Sequence, residues 1–375
     1  MAFWYGILPI AGAFYNRGKW KRFRRRFDEL RLAPLLDYRL YRKLEGGGGV
    51  FRFTGSIESI TDGHTLWVRG EDLTIPVYLE KTKCFLLPVH EGEGIPEAPE
   101  QIRWNRVSTL TEGARVFIGG QINTHNSRLS FCPAKGKPLM VLFYNCPDTE
   151  LTDTVIRAAR TRNEYWNTIT PISLAIGALA LIYMAASFLG RPAFRLTVIS
   201  ALVAVFVPAL PLIPPGILLT GLYRRMTWQA RKLRTYWDIV RLPLRYLLPE
   251  YPERQSAFLN TGEKYGYVKL NSLPALEAVP WLIPENQNQG KKSNLYFFGV
   301  LATPQAGEEF SLPQRSKDPF VSFGILPADP AFLAVRYAIK AYTLEAFAWL
   351  ILFLGTGINV AFIFFILRLL SGVSF

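Results

Sequence analysis

Cysteine and histidine are scarce in this chain. Three of each occur in 375 residues: Cys84, Cys132 and Cys146, and His64, His90 and His125. Metal sites usually draw two ligands from one tight turn, and no CxxC or comparable histidine pair exists here. The odd cysteine count argues for reduced thiols in a reducing compartment rather than a disulfide framework. Buried thiols and turn histidines account for all six residues, so no metal is assigned. Nucleotide signatures are missing as well. Gly46–Gly49 is not followed by Lys-Ser/Thr, and Gln289–Ser293 (QGKKS) lacks its upstream glycine. There is no HExxH and no GxSxG. The acidic pairs Glu71-Asp72 and Glu308-Glu309 lie in polar, turn-like contexts and read as solvated loop charges. No cofactor is implied and no catalytic residue stands out.

Asp, Glu, Lys, Arg and His are also missing from the long apolar runs. A hydrocarbon core about 30 Å thick needs roughly 20 apolar residues of helix. Ile169–Leu189 and Ala346–Leu367 meet that requirement without a charge. A third run, Leu196–Tyr223, is interrupted by Pro208, Pro211, Pro214 and Pro215, so its expected span is Leu196–Ile213, ended or kinked by Pro214-Pro215-Gly216. Ala2–Tyr15 is a fourth, shorter run, spanning or interfacial. Its basic residues follow the apolar stretch, and no small-x-small cleavage site is present, which argues against a secretory signal. Ion-coupled transporters keep ionisable groups or broken helices at membrane depth. The Pro208–Gly216 segment is the one candidate for such a break.

The net charge of +14 is concentrated in blocks. Arg17–Lys43 holds eleven Lys/Arg against Asp28, Glu29 and Asp37, and Arg224–Arg245 holds seven against Asp238. Basic residues flanking spans stay on the cytoplasmic side. Arg157–Arg162 agrees, whereas Arg191 and Arg195 in the short hairpin loop disagree and are outvoted. The expected topology is a cytoplasmic-membrane, multi-pass protein with an outer N-terminus and with residues 17–165 and 224–343 in the cytoplasm.

Between the spans, Phe23, Phe27 and Leu30 recur on one face of a basic helix whose other positions include Arg22, Arg24, Arg25 and Arg26. A second helix over 217–247 repeats Met226, Ala230, Leu233, Trp237 and Val240, with Arg224, Arg225, Arg231 and Arg234 on other faces. Trp228 and Trp237 suit headgroup depth. Both helices read as lying on anionic lipid headgroups, at about 1 kcal/mol per charge near the surface. Packing against the β-domain is the alternative for the second helix. Nucleic acid is the less favoured partner of the basic blocks.

Residues 50–147 change character. Val50–Ile60, Thr65–Leu79, Ala114–Ile122, Leu129–Pro133 and Leu139–Tyr144 have strand patterns, with turns at Thr61–His64, Gly119-Gly120 and Asn123–Ser127 and a polar insertion at His90–Pro99. A small antiparallel barrel or sandwich, OB-like in size, is expected. A polar helix from Asp148 or Thr149 should run into the first internal span. In 249–329, Tyr265–Leu270, Asn294–Leu301 and Phe320–Leu326 read as short strands and Glu285–Ser293 as a loop. Asp329-Pro330 then starts the last helix. Thr356, Asn359, Gly355 and Gly357 suit helix–helix contact inside the membrane.

Leu110–Gln121 (LTEGARVFIGGQ) and the following Gly136-Lys137-Pro138-Leu139 carry a resemblance. From about Leu110 to Phe188, the chain resembles the GIDE, or beside-a-membrane, domain of mitochondrial and chloroplast membrane ubiquitin ligases. That resemblance implies a β-rich module at the bilayer that binds partners. It does not imply ligase activity, because no cysteine follows Cys146 to build the family's RING. The layout of the whole chain is also similar to that of bacterial inner-membrane proteins.

The expected fold class is therefore membrane α-helical plus a small cytoplasmic all-β domain, OB-like or GIDE-like, α+β overall. Its segments are 1–16 (short membrane segment), 17–49 (basic helix and glycine linker), 50–147 (β-domain), 148–223 (helix and hairpin), 224–248 (interfacial helix), 249–343 (mixed cytoplasmic segment) and 344–375 (last span). The leading function is a non-enzymatic membrane-anchored interaction or scaffold protein with an unidentified protein partner. A transporter or channel subunit is the alternative, which requires an oligomer, a homo-oligomer being one form, because four spans make a thin pore. A membrane-surface enzyme is the third reading.

Overall fold

A computed structural model describes residues 3–44, 47–62, 64–80, 82–88, 98–109, 112–125, 128–134, 138–161, 167–212, 216–247, 256–271, 280–283, 294–301 and 312–371. Pro214, Pro215, His90, most of the polar insertion, the Glu285–Ser293 loop and Glu308-Glu309 lie outside the described residues, as do Leu110, Thr111, Gly136 and Lys137 of the resemblance. The chain is α+β and divides into two compact units. One comprises Met1–Lys21, Asn163–Leu233 and Ala338–Phe375; the other comprises Arg22–Arg162 and Arg234–Tyr337.

Seven α-helices are described: α1 (Leu8–Arg31), α2 (Tyr38–Lys43), α3 (Asp148–Thr161), α4 (Ile169–Phe188), α5 (Arg195–Val205), α6 (Gly216–Leu244) and α7 (Pro330–Ser371). Three stretches are long and apolar enough to cross a membrane: Ile169–Phe188, Pro192–Ala209 and Pro330–Ile366. Their apolar side chains point outwards, with Leu179, Tyr183, Phe353 and Phe364 among the exposed ones. So much contiguous exposed hydrocarbon is untenable in water and natural in lipid.

The close contacts of the first unit are made by small residues. Leu181 and Ala185 of α4 are buried with Val198, Ala201 and Ala204 of α5. Trp4 and Tyr5, in a π-helical turn at Phe3–Ile7, press on Gly177, where a Cβ would lie 2.5 Å from the Tyr5 ring. Gly355 meets Leu219, and Asn359 is buried, whereas Thr356 is exposed and Gly357 touches nothing. The expected helix-contact face therefore holds at two of its four positions. The short N-terminal run continues as helix α1 from Leu8 into the basic block, and Met1–Lys21 is grouped with the unit that holds the apolar helices. After α5, a 3-10 turn (Val207–Leu212) holds Pro208 and Pro211, and α6 begins at Gly216. Pro208 and Pro211 thus follow the end of α5, which is the ending rather than the kinking alternative for these two.

The second unit holds an eight-stranded sheet: β1 (Gly47–Thr61), β2 (Thr65–Arg69), β3 (Thr74–Tyr78), β4 (Lys83–Leu86), β5 (Glu100–Arg103), β6 (Arg115–His125), β7 (Arg128–Cys132) and β8 (Met140–Tyr144). The order is β1-β2-β3-β7-β6-β8-β4-β5, and β1 also pairs with β6. Strands β1, β2, β3, β7 and β6 therefore close on themselves as a five-stranded ring. The contact between β3 and β7 is parallel, at Val77 and Phe131. The expected long strand Thr65–Leu79 is a hairpin of two strands. Gly119-Gly120 is not a turn but the middle of β6, and the helix from Asp148 is described as far as Thr161, the residues between it and Asn167 lying outside the described ones.

Alternation along β6 explains those glycines. Val116, Ile118 and Ile122 point into the ring with Phe51, Phe53, Leu66, Val68, Val77 and Phe131. Phe117 and Gly119 point the other way, towards α1. A Cβ on Gly119 would sit 2.7 Å from Leu30 Cδ1, so glycine lets the helix rest directly on the strand. The Phe23 ring lies 4.6 Å from that of Phe85, and the Phe27 ring 5.4 Å from that of Phe117. The apolar stripe of α1 is thus a core face of the second unit. On α6, Thr235, Tyr236, Ile239, Val240 and Leu242 are buried, a stripe that overlaps the expected one only in part.

A second sheet, in the order β12-β11-β10-β9, comprises β9 (Ser256–Phe258), β10 (Lys264–Leu270), β11 (Leu295–Val300) and β12 (Gly324–Leu326). Of the expected strand Phe320–Leu326, only the last three residues pair. Asp329 caps α7 by accepting from Ala331 N at 2.7 Å, one residue after Pro330 at the first position.

Cys84 lies in the ring's core, and burial pushes its thiol up to about 12. Burial also raises the half-buried Cys132 and Cys146. Maleimide at pH 8 is therefore expected to modify Cys132 and Cys146 slowly in the folded chain and Cys84 only after unfolding, as read by mass spectrometry. Fast modification of native Cys84 would contradict its place in the core.

Candidate functional site

The sequence singled out arginines for membrane contact, and the structure sorts them. Arg22, Arg25, Arg224 and Arg225 are exposed; Arg24, Arg26, Arg231 and Arg234 are half-buried. Arg24 donates to Ala159 O (3.1 Å) and Arg26 to Pro138 O (3.0 Å), so both tie α1 to its own unit. Arg25 pairs with Glu29 at 2.9 Å. Trp228 is exposed with Lys232 over its ring, and Trp237 is half-buried beneath Arg241. Pro208, Pro211 and Gly216 border no described cavity that the whole set shares.

The second unit concentrates its buried charge elsewhere, at residues that sequence patterning did not flag. Arg52 lies between Phe51 and Phe53 on β1. Because strand side chains alternate, the two phenylalanines fill the ring and Arg52 faces away from it. There its Nε donates to Ala33 O (2.7 Å), its Nη2 donates to the Asp318 carboxylate, and its guanidinium lies 4.8 Å over the Phe320 ring. Asp318 also accepts from Phe320 N at 3.1 Å. Its neighbour Ser316 donates to Glu263, at the start of β10. The 316–320 loop thus clips the second sheet to the first through one buried ion pair.

Arg31, the last residue of α1, is only 1% exposed. Its Nη1 donates to Tyr246 Oη (2.9 Å) and Phe320 O (3.3 Å), and its guanidinium lies 5.2 Å from the Tyr246 ring centre. Its Nε and Nη2, like Arg52 Nη1, are buried without a hydrogen-bond partner among the described residues. Asp28 is near enough to feel Arg31, but its salt bridge goes to Arg245 at 2.8 Å. Burial raises the Asp28 carboxyl against the pull of Arg245 and then Arg31. Burial likewise raises the Tyr246 hydroxyl, with Arg31 opposing.

These groups border an open cavity of about 490 Å³. Arg31, Arg52, Arg245, Tyr246 and Asp318 form one side. The short helix α2 brings Arg39 and Lys43, with Asp37 spent as its N-cap on Leu40 N at 2.7 Å. The β9–β10 turn closes the other side with Phe258–Thr261, tied to the end of α1 where Asn260 Nδ2 donates to Leu32 O at 3.1 Å. No protein-family model, curated protein or solved structure matches the chain. Among the described residues, no three His, Cys, Asp or Glu side chains gather as a metal site would require. The signal that could have found Arg52 is a lone arginine between two phenylalanines on a strand. Its partner is 266 residues away, beyond any local pattern.

Proposed function

We propose that this chain is a membrane-anchored, non-enzymatic interaction protein of the cytoplasmic membrane, multi-pass, with its α/β unit in the cytoplasm as the docking part. The observation that supports this reading best is the division of labour between the units. One bears two of the apolar candidate spans and the third from Ala338 onwards, and the other buries its own apolar groups around two sheets. The closure of five strands into a ring, with a parallel β3–β7 contact, supports reading it as an OB-like barrel, an architecture that binds ligands on one strand face and its loops. On that outer face, Arg128 lies 6.0 Å over the Trp67 ring, and both residue types are enriched at docking surfaces. The basic residues exposed on α1 and α6 are the proposed contacts for anionic lipid.

Two measurements test the reading. Glu100, exposed on β5, is replaced by cysteine, and an impermeant maleimide is added to membrane vesicles of known orientation. Labelling above the native-cysteine background is expected only from the cytoplasmic face; labelling only from the opposite face overturns the topology. Photocrosslinkers at the exposed Arg69, Glu71 and Arg128 are expected to trap one discrete protein in membranes. No adduct from any of the three positions overturns the docking role.

A further inference from the structure

We infer that the cavity between α2 and the β9–β10 turn is a binding site for a phosphate-bearing small molecule. This inference stands independently of which side of a membrane the unit faces. Five cationic side chains line the cavity (Arg31, Arg39, Lys43, Arg52 and Arg245) against two carboxylates (Asp37 and Asp318). Both carboxylates are committed within the protein, Asp37 to a helix cap and Asp318 to Arg52. Asp28, behind the wall, is salt-bridged to Arg245 and acts on Arg31 only through space, which still leaves more cations than carboxylates at the cavity. The site therefore holds an excess of positive charge that the described residues leave uncompensated.

Position makes that excess costly. Arg31 is almost wholly buried, and two of its nitrogens, together with one of Arg52, have no hydrogen-bond partner among the described residues. A guanidinium out of water without a counter-charge is destabilising, and nearby anionic oxygens that accept several N–H groups relieve it. A doubly charged phosphate group matches both the charge excess and the planar, forked donors of arginine. The volume lies within the range of small-molecule sites. Leu35, Leu40, Phe258 and Val321 supply apolar wall for the rest of such a molecule. Arg39 and Lys43 are exposed on α2, at the mouth, where they suit electrostatic capture.

The test uses the full chain in neutral detergent, with inorganic pyrophosphate as probe and sodium chloride at matched ionic strength as control. Pyrophosphate is expected to raise the melting temperature by several degrees beyond chloride. Arg31→Met is expected to weaken pyrophosphate binding about tenfold or more, as calorimetry reads it, while changing the ligand-free melting temperature little, because relief of a poorly compensated buried charge offsets the lost bonds to Tyr246 and Phe320. Arg39→Ala with Lys43→Ala, both on the exposed helix, keeps the fold and is expected to weaken binding severalfold. A second arm adds vesicles with phosphatidylglycerol or with phosphatidylcholine alone. Competition by the former with pyrophosphate assigns the phosphate to a lipid headgroup, and its absence assigns it to a soluble phosphorylated compound; either supports the site. No shift beyond chloride overturns the inference, and so does a pyrophosphate response of equal size in the wild type and both variants.

Discussion

Arg52→Met lowers the stability of the second unit by about 3–5 kcal/mol, and adding Asp318→Leu recovers much of that loss. The reason is an asymmetry of buried charge. The side chains of Arg52 and Asp318 are 4% and 7% exposed, so neither has water to fall back on. Removing one leaves the other ionised in the interior, whereas removing both leaves an apolar contact between β1 and the 316–320 loop. Recovery is incomplete because Ala33 O and Phe320 N also lose partners. A double-mutant cycle from denaturant unfolding, followed by tryptophan fluorescence, measures the coupling. A coupling energy near zero would show that the pair does not join the two sheets. The expected drop corresponds to a melting-temperature change on the order of 10 °C for a unit of this size.

Phe27→Ala costs about 3–5 kcal/mol. Phe27 is 1% exposed and packs on Phe117, which in turn meets Phe320 at a ring separation of 5.5 Å. Truncation opens a cavity between α1 and the sheet that Gly119, with no side chain, cannot fill. Were the apolar stripe of α1 lying on lipid, the same change would reduce membrane partition and leave unfolding nearly untouched. Arg25→Ala is the matched control on the other face of the helix: its pair with Glu29 is largely exposed, and its loss moves stability by about 0.5 kcal/mol or less. Equal melting curves for wild type and Phe27→Ala would restore the lipid-facing reading.

That contrast shows where sequence reasoning stopped. The stripe of Phe23, Phe27 and Leu30 was legible from its spacing, and so was the helix. What covers the stripe was not, because a period of three and four residues specifies an apolar face and says nothing of its neighbour. The strands of residues 50–147 were legible for the same kind of reason, apart from β4 and β5, which pair through residues flanking the polar insertion. Gly119-Gly120 was misread as a turn because glycine marks both turns and close approaches, and only the position of Leu30 distinguishes them. The cavity was missed altogether. Arg31, Arg52, Arg245 and Asp318 are far apart in the chain, and none belongs to a motif.

The sequence by itself determined which segments favour hydrocarbon, since transfer free energy adds up over about 20 consecutive residues and needs no knowledge of the fold. It determined helix and strand periods likewise, including the Asp329-Pro330 start of α7. Only the tertiary structure decided that Arg22–Arg162 and Arg234–Tyr337 make one body, that β1 and β6 close a ring, and that a buried aspartate answers Arg52 from 266 residues away. Those outcomes depend on which distant surfaces exclude water together, and on which buried charges find a counter-charge when they do.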